Sequence, residues 1–213
     1  MLILGILLLT TVPYLFGCAN GAILVSKYLL KDDIRNHGSG NAGLTNYTRV
    51  FGRKHMILVI LPDALKGVLG ILSGVLAVEL LELGGWDMID TVRGKYIAAL
   101  FTELGHMFPF NFGFKGGKGI LTGGIIAFMI SWKVGIVVWG SFLILTALFR
   151  YVSLGSISTG FLFPLMCWIL YHDPFSMVFA VIVGFLVVFT HRSNISRLIH
   201  GNENKLTFHK QKS

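Results

Sequence analysis

Four polar segments interrupt an otherwise apolar chain, and their residue types point to the handling of an anion. The first is Gly38-Ser39-Gly40-Asn41-Ala42-Gly43-Leu44-Thr45-Asn46, followed by Arg49. Its glycines free the backbone to turn N–H groups toward an anion. Ser39, Asn41, Thr45 and Asn46 add side-chain donors, and Arg49 supplies a forked cation suited to phosphate. By letter the segment fits the G-x-G-x-x-G dinucleotide pattern, and Asp63 lies twenty residues past Gly43. That fingerprint needs a strand before it and a helix after it in a unit of about 30 residues, for which the segment has no room.

The second segment runs Gly105-His106-Met107-Phe108-Pro109, then Phe114-Lys115-Gly116-Gly117-Lys118-Gly119, then Thr122. It is not a Walker A loop, because Gly119 follows Lys118 and Phe112 stands where the first glycine belongs. Glycines with lysine at the mouth of an apolar helix still make a phosphate cradle, since free N–H groups and the helix dipole add to the ammonium charge. The third segment, Arg150 to Ser156, reads as a short connection in which Ser153 and Ser156 sit beside an arginine. The fourth, His191-Arg192-Ser193-Asn194, continues through Arg197 to Gly201, Glu203 and Lys205. On a helix His191 and Asn194 share a face, with Arg197 one further turn along.

The elements that must carry these segments are membrane helices. Of 213 residues 54% are hydrophobic and 13% charged, and the mean hydropathy is +0.73, which excludes a soluble or a disordered chain. Seven apolar spans are legible: Leu2 to Val25, Met56 to Leu83, Tyr96 to Phe112, Gly119 to Trp132, Val134 to Phe149, Ile157 to Tyr171 and Phe175 to Thr190. The fourth to sixth are short against the roughly 17 to 25 residues that a lone crossing needs. The expected fold is therefore all-α, a polytopic bundle of about seven transmembrane helices, with residues 1–213 forming one membrane-embedded domain.

The net charge of +8 follows from orientation across a bilayer and calls for no nucleic-acid partner. Lys27, Lys31, Arg35, Arg49, Arg53, Lys54, Lys115, Lys118, Arg150, Arg192, Arg197, Lys205, Lys210 and Lys212 fall in alternate connections, against Arg93, Lys95 and Lys133 on the other side. The positive-inside tendency then puts the N-terminus outside and the C-terminus, with all four polar segments, in the cytoplasm. No basic residue precedes the first apolar run, so it reads as a retained span and not a cleaved signal. Cys18 and Cys167 lie in apolar stretches and indicate neither a disulfide framework nor a metal cluster. The 26 glycines indicate close helix packing. Asp63 with Lys66, and Glu103 with His106, are each three apart inside spans, where burial demands that they pair.

Taken in order, Ser39 to Asn46 with Arg49, Asp63 to Gly67, Gly105-His106 through Phe108-Pro109 to Lys115-Gly116-Gly117-Lys118-Gly119, and His191 to Ile195 with Gly201, Glu203 and Lys205 resemble the bacterial acyl-phosphate-dependent glycerol-3-phosphate acyltransferases, the PlsY family. The resemblance spans nearly the whole chain. It departs at Leu44, Ser193 and Ile120-Leu121, neighbours of the polar positions. It implies a seven-helix membrane enzyme that moves an acyl group from acyl phosphate to the sn-1 hydroxyl of glycerol 3-phosphate, releasing phosphate and lysophosphatidic acid. It also implies a bacterial inner-membrane location and no covalent intermediate.

Under that resemblance Lys118 with Gly116 and Gly117 would hold the acyl-phosphate headgroup, and Arg49 with Lys115 the phosphate of glycerol 3-phosphate. Ser39, Asn41, Ser153, His191 and Asn194 would orient hydroxyls or polarise the carbonyl, with His191 also suited to act as a base. Thr45, Asn46 and His106 join the substrate-binding set. The scattered aspartates lead to no expected metal or cofactor. The alternative is a membrane transporter for an organic phosphate, which predicts polar residues continuing to the far side, where the spans carry almost none.

Overall fold

The computed structural model describes residues 2–85 and 89–206. Lys210 and Lys212, counted above in the basic tail, lie outside the described residues. Ten α-helices and no strands appear among the described residues: α1 (Leu2–Gly17), α2 (Gly21–Leu24), α3 (Leu44–Phe51), α4 (Met56–Leu83), α5 (Thr91–Met107), α6 (Ile120–Ile130), α7 (Trp132–Phe149), α8 (Val152–Tyr171), α9 (Pro174–Thr190) and α10 (Arg192–Ile199).

Each anticipated apolar stretch holds a helix, with boundaries moved by capping and by proline. The first span is broken: α1 stops at Gly17, and the Asn20 side chain accepts from the Ile23 N–H at 3.0 Å to start α2 on an axis bent by 44°. The third starts earlier than expected, at Thr91, because Asp90 caps it by accepting from the Arg93 N–H at 2.9 Å. It ends at Met107, short of Phe112, because the residue before Pro109 is driven out of the helical region. The sixth starts at Val152, so Ser153 and Ser156 belong to α8 and not to a connection.

Three helices, α4, α7 and α8, are long and apolar enough to cross a membrane alone, and joining the bent pairs of α1 with α2 and α9 with α10 raises that to five. Helix α6, at 11 residues, rises only about 16 Å, roughly half the hydrocarbon thickness.

The packing is that of a bundle in lipid. Leu61, Leu65, Leu69, Leu72, Leu76 and Leu80 form an exposed stripe along α4, while its buried face carries Gly67, Gly70, Gly74, Ala77 and the charged Asp63 and Lys66. Gly17 on α1 and Gly105 on α5 face each other so closely that a Cβ on either would strike the opposite backbone. Gly160 on α8 and Gly184 on α9 repeat the arrangement. The main apolar core lies among α4 to α9, around Ile71, Tyr96, Ile126, Val138, Phe163 and Val183. At one end Arg93 ties α5 to the start of α9 through Asp173 at 3.0 Å. At the other end the four polar segments meet.

Candidate active site

The glycine loop is pinned before it can present anything. Arg35, bidentate to Asp33, donates to the Phe112 carbonyl at 2.6 Å and the Lys115 carbonyl at 3.3 Å. The Gly116 and Gly117 N–H groups donate back to the last carbonyls of α5, Met107 and His106, at 3.1 Å each. This corrects the expectation that their N–H groups face a headgroup: they hold the loop onto α5. The N–H groups left for an anion are those at the mouth of α6, where Gly119 at φ +79° turns the chain into the helix and the first-turn amides have no intrahelical partner.

Lys118 leaves this loop and donates to Asn194 Oδ1 on α10. Asn194 in turn donates to Glu203 Oε1 at 2.7 Å, and Arg197 Nε donates to Glu203 Oε2 at 2.7 Å. Asn194 thus links Lys118 to Glu203 and keeps one amide hydrogen and one oxygen lone pair free. Burial pushes the Lys118 ammonium from its ordinary 10.5 down to about 8, with repulsion from Arg197 adding to the effect and Glu203 opposing it. Burial also works to raise Glu203, but the donors on Asn194 and Arg197 outweigh it, so its carboxyl sits below its ordinary value.

Ser153, buried in the first turn of α8, lies beside the Glu203 carboxyl without meeting hydrogen-bond geometry. His191 is buried at the bend between α9 and α10, where its Nδ1–H donates to the Val187 carbonyl at 2.8 Å. The neutral ring therefore keeps a lone pair at Nε2 for a substrate hydroxyl. The tail folds back to deliver Glu203: Leu206 N donates to the Arg150 carbonyl at 2.7 Å and Arg150 Nη2 donates to the Leu206 carbonyl at 3.1 Å.

The first segment lies against the loop, since a Cβ on Gly117 would strike both His106 Nε2 and the Ala42 carbonyl. Asn46 is not a free donor. Its Nδ2 donates to the His37 and Asn41 carbonyls at 3.0 and 3.1 Å, and its Oδ1 accepts from Ser39 N at 3.0 Å, so a buried amide shapes the loop from inside. Ser39, Thr45, Arg49 and Lys115 are exposed and Asn41 half-buried. Among the described residues no contact ties the Arg49 or Lys115 side chain to the Lys118 cluster.

Asp63 and Lys66 pair as expected, at 2.8 Å, but Glu103 does not pair with His106. His106 Nδ1 lies 2.6 Å from Lys66 Nζ instead. Glu103 is fully buried against Gly119 and Gly123 with neither oxygen hydrogen-bonded among the described residues. Neither Arg35 as the loop's anchor nor Lys66 as the partner of His106 has a signal in residue spacing. Glu203 stood in the fourth segment without a role.

An apolar cavity starts at Gly119 and Gly123 and runs between α6, α7, α8 and α9 past Val138, Phe163 and Val183. A cationic loop with an imidazole acceptor at one end of an apolar bundle suits the joining of an apolar group to a phosphate-bearing one. Fold and site together define an integral membrane protein with a cationic polar site at one end of its helical bundle.

The family model described as "Glycerol-3-phosphate acyltransferase" matches residues 7–201. The glycerol-3-phosphate acyltransferase of Thermoanaerobacter pseudethanolicus is 39% identical over 195 residues, covering 92% of each chain. That of Chlorobium phaeovibrioides is 36% identical, covering 97% of this chain and 99% of its own. Crystal structures of PlsY, an integral membrane glycerol 3-phosphate acyltransferase, superpose on 94% of this chain. Its glycerol 3-phosphate form gives a TM-score of 0.80 at 34% identity and its lysophosphatidic acid form 0.77 at 33%. The chain belongs to the glycerol-3-phosphate acyltransferase family.

Proposed function

We propose that this protein transfers a fatty acyl group from acyl phosphate to the sn-1 hydroxyl of glycerol 3-phosphate, giving lysophosphatidic acid and phosphate for phospholipid synthesis. The observation that carries this reading is Lys118, held by Asn194 of α10 in the turn that opens α6. The acyl chain lies among the apolar helices, and its phosphoryl group meets Lys118 and the open amides of the α6 first turn. Arg49 and Lys115, exposed on the two neighbouring segments, attract and clamp the phosphate of glycerol 3-phosphate.

A mixed anhydride is already activated, so catalysis consists chiefly of alignment and charge stabilisation. The hydroxyl hydrogen-bonds to His191 Nε2 as its oxygen attacks the acyl carbon. A new C–O ester bond forms, the acyl C–O bond to phosphate breaks, and the departing phosphate carries away the proton. Lys118 neutralises the charge that gathers on that phosphate. The site faces the cytoplasm of a bacterial inner membrane, where both phosphorylated substrates occur, and residues 1–213 work as one domain.

The test offers detergent-purified protein acyl phosphate, acyl-CoA or acyl carrier protein thioester separately with glycerol 3-phosphate. Lysophosphatidate should appear with acyl phosphate alone. Equal turnover of a thioester would overturn the donor assignment.

A further inference from the structure

His106, 3% exposed at the end of α5, sits where three helices and both glycine-rich loops converge, and its protonation is fixed by bond counting. Lys66 Nζ lies 2.9 Å from the Ala19 carbonyl, 2.8 Å from Asp63 Oδ1 and 2.6 Å from His106 Nδ1. An ammonium has three hydrogens and no lone pair, so each contact consumes one donor and Nδ1 must accept. Thr122 Oγ1, 3.5 Å from Nδ1, gives its own hydrogen to the Asp63 carbonyl at 3.1 Å. Asp63 Oδ1 also accepts from the Gly21 N–H at 3.1 Å, which anchors the pair to the start of α2. The hydrogen of the neutral ring is therefore on Nε2.

That Nε2–H has no partner among the described residues, although the side chain is buried. It packs against Gly117, where a Cβ would strike both Nε2 and the Ala42 carbonyl, at the base of the loop that carries Lys118. A buried donor is costly to leave unmade. His191 has the opposite polarity, with its hydrogen on Nδ1 and its lone pair on Nε2. One imidazole accepts where a hydroxyl must be oriented, and the other donates where the loop gathers an anion.

Resting on the acyl-phosphate reading above, we infer that the buried Lys66–Asp63 pair is a positioning device that locks His106 in its Nε2–H tautomer, so that a neutral imidazole donates to the phosphoryl group of the acyl donor. A neutral donor holds that group without adding a charge that the released phosphate must escape. Lys66 and Asp63 touch no substrate and act through the ring.

The experiment measures KM for each substrate, and the thermal midpoint, for wild type, His106→Leu, His106→Gln and the doubly neutral Asp63→Asn/Lys66→Met, alongside nitrogen NMR of histidine-labelled wild type. His106→Leu should raise the acyl-phosphate KM about tenfold, the scale of one hydrogen bond to a charged acceptor, with the glycerol 3-phosphate KM within about twofold. His106→Gln, which restores an N–H, should recover most of that loss. The double variant, whose ring is free to choose either tautomer, should fall between. In the wild-type spectrum, assigned by difference from His106→Gln, Nδ1 should be unprotonated, a readout that needs no variant to keep its activity.

A protonated Nδ1, an equal loss in the Leu and Gln variants with lowered thermal midpoints, or a shift confined to the glycerol 3-phosphate KM would overturn the inference. Wild type that ignores acyl phosphate would overturn the donor reading itself. Wild-type turnover with an unchanged acyl-phosphate KM in His106→Leu would overturn only the part given to His106.

Discussion

Lys118 is half-buried yet carries a charge, and its titration exposes that compromise. With its ammonium pushed down to about 8, kcat/KM for acyl phosphate should fall as pH rises through about 8, since that ratio reports the free enzyme. Lys118→Arg, which keeps its charge at any accessible pH, should lose this limb. The linkage to stability has the opposite slope. Between about 8 and 10.5 the unfolded chain binds a proton that the folded one has released, so this group makes stability rise with pH across that window. A wild-type thermal midpoint that does not climb relative to Lys118→Met across that range would contradict the burial. Lys118→Ala should cost at least about a hundredfold in turnover, as for a strong transition-state contact, while the protein still purifies as a single species.

Arg49 tests the other phosphate. Arg49→Lys keeps the charge and removes the fork, so the glycerol 3-phosphate KM should rise and kcat/KM fall by roughly tenfold, with the acyl-phosphate KM steady. The reverse pattern would show the two phosphates exchanged.

At the scale of elements, the glycine loop works because its backbone is committed before substrate arrives. Two of its N–H groups are spent on α5, two of its carbonyls on Arg35, and it approaches the first segment closely over Gly117. Gly117→Ala would drive a methyl into His106 Nε2 and the Ala42 carbonyl and should abolish acyl transfer. Gly140→Ala on α7, with nothing within 4 Å of the added carbon, should leave turnover and thermal midpoint unchanged. Comparable activity in the two variants would mean that the loop is not set by this contact. Asn46→Ala should destabilise the fold by about 1–3 kcal/mol, since it leaves loop carbonyls and an amide without partners, and a chemical-denaturation midpoint reads that directly.

At the scale of the whole molecule, the polar segments share one end because helices of a bundle bring alternate connections to the same side. The basic residues of these segments predict that this end is cytoplasmic. A cysteine replacing Lys54, exposed beside the first segment, should be labelled only from the cytoplasm, and one replacing Lys133, exposed at the start of α7, only from outside. Labelling of both from one side would reject that orientation. The native Cys18 and Cys167 are buried and give little background.

Apolar run length, glycine content and the order of the polar segments were enough to name an all-helical membrane fold and the family, but not the short helix α3 within the first polar segment. They suffice because lipid forces every spanning backbone to satisfy itself as a helix, which writes each span into the chain as a local run. Helix ends were less legible, since caps such as Asn20 and Asp90 and a stop at Pro109 are single-residue events inside or beside those runs. Lys118, His191 and Asn194 were legible as candidates for one site, but their mutual contacts were not. Only the tertiary structure showed Asn46 spent on its own loop, Asn194 bridging Lys118 and Glu203, and His106 bonded to Lys66 forty positions away and not to Glu103. Such pairings are decided by which buried donors and acceptors meet when helices pack, a condition on three-dimensional distance that no local spacing encodes.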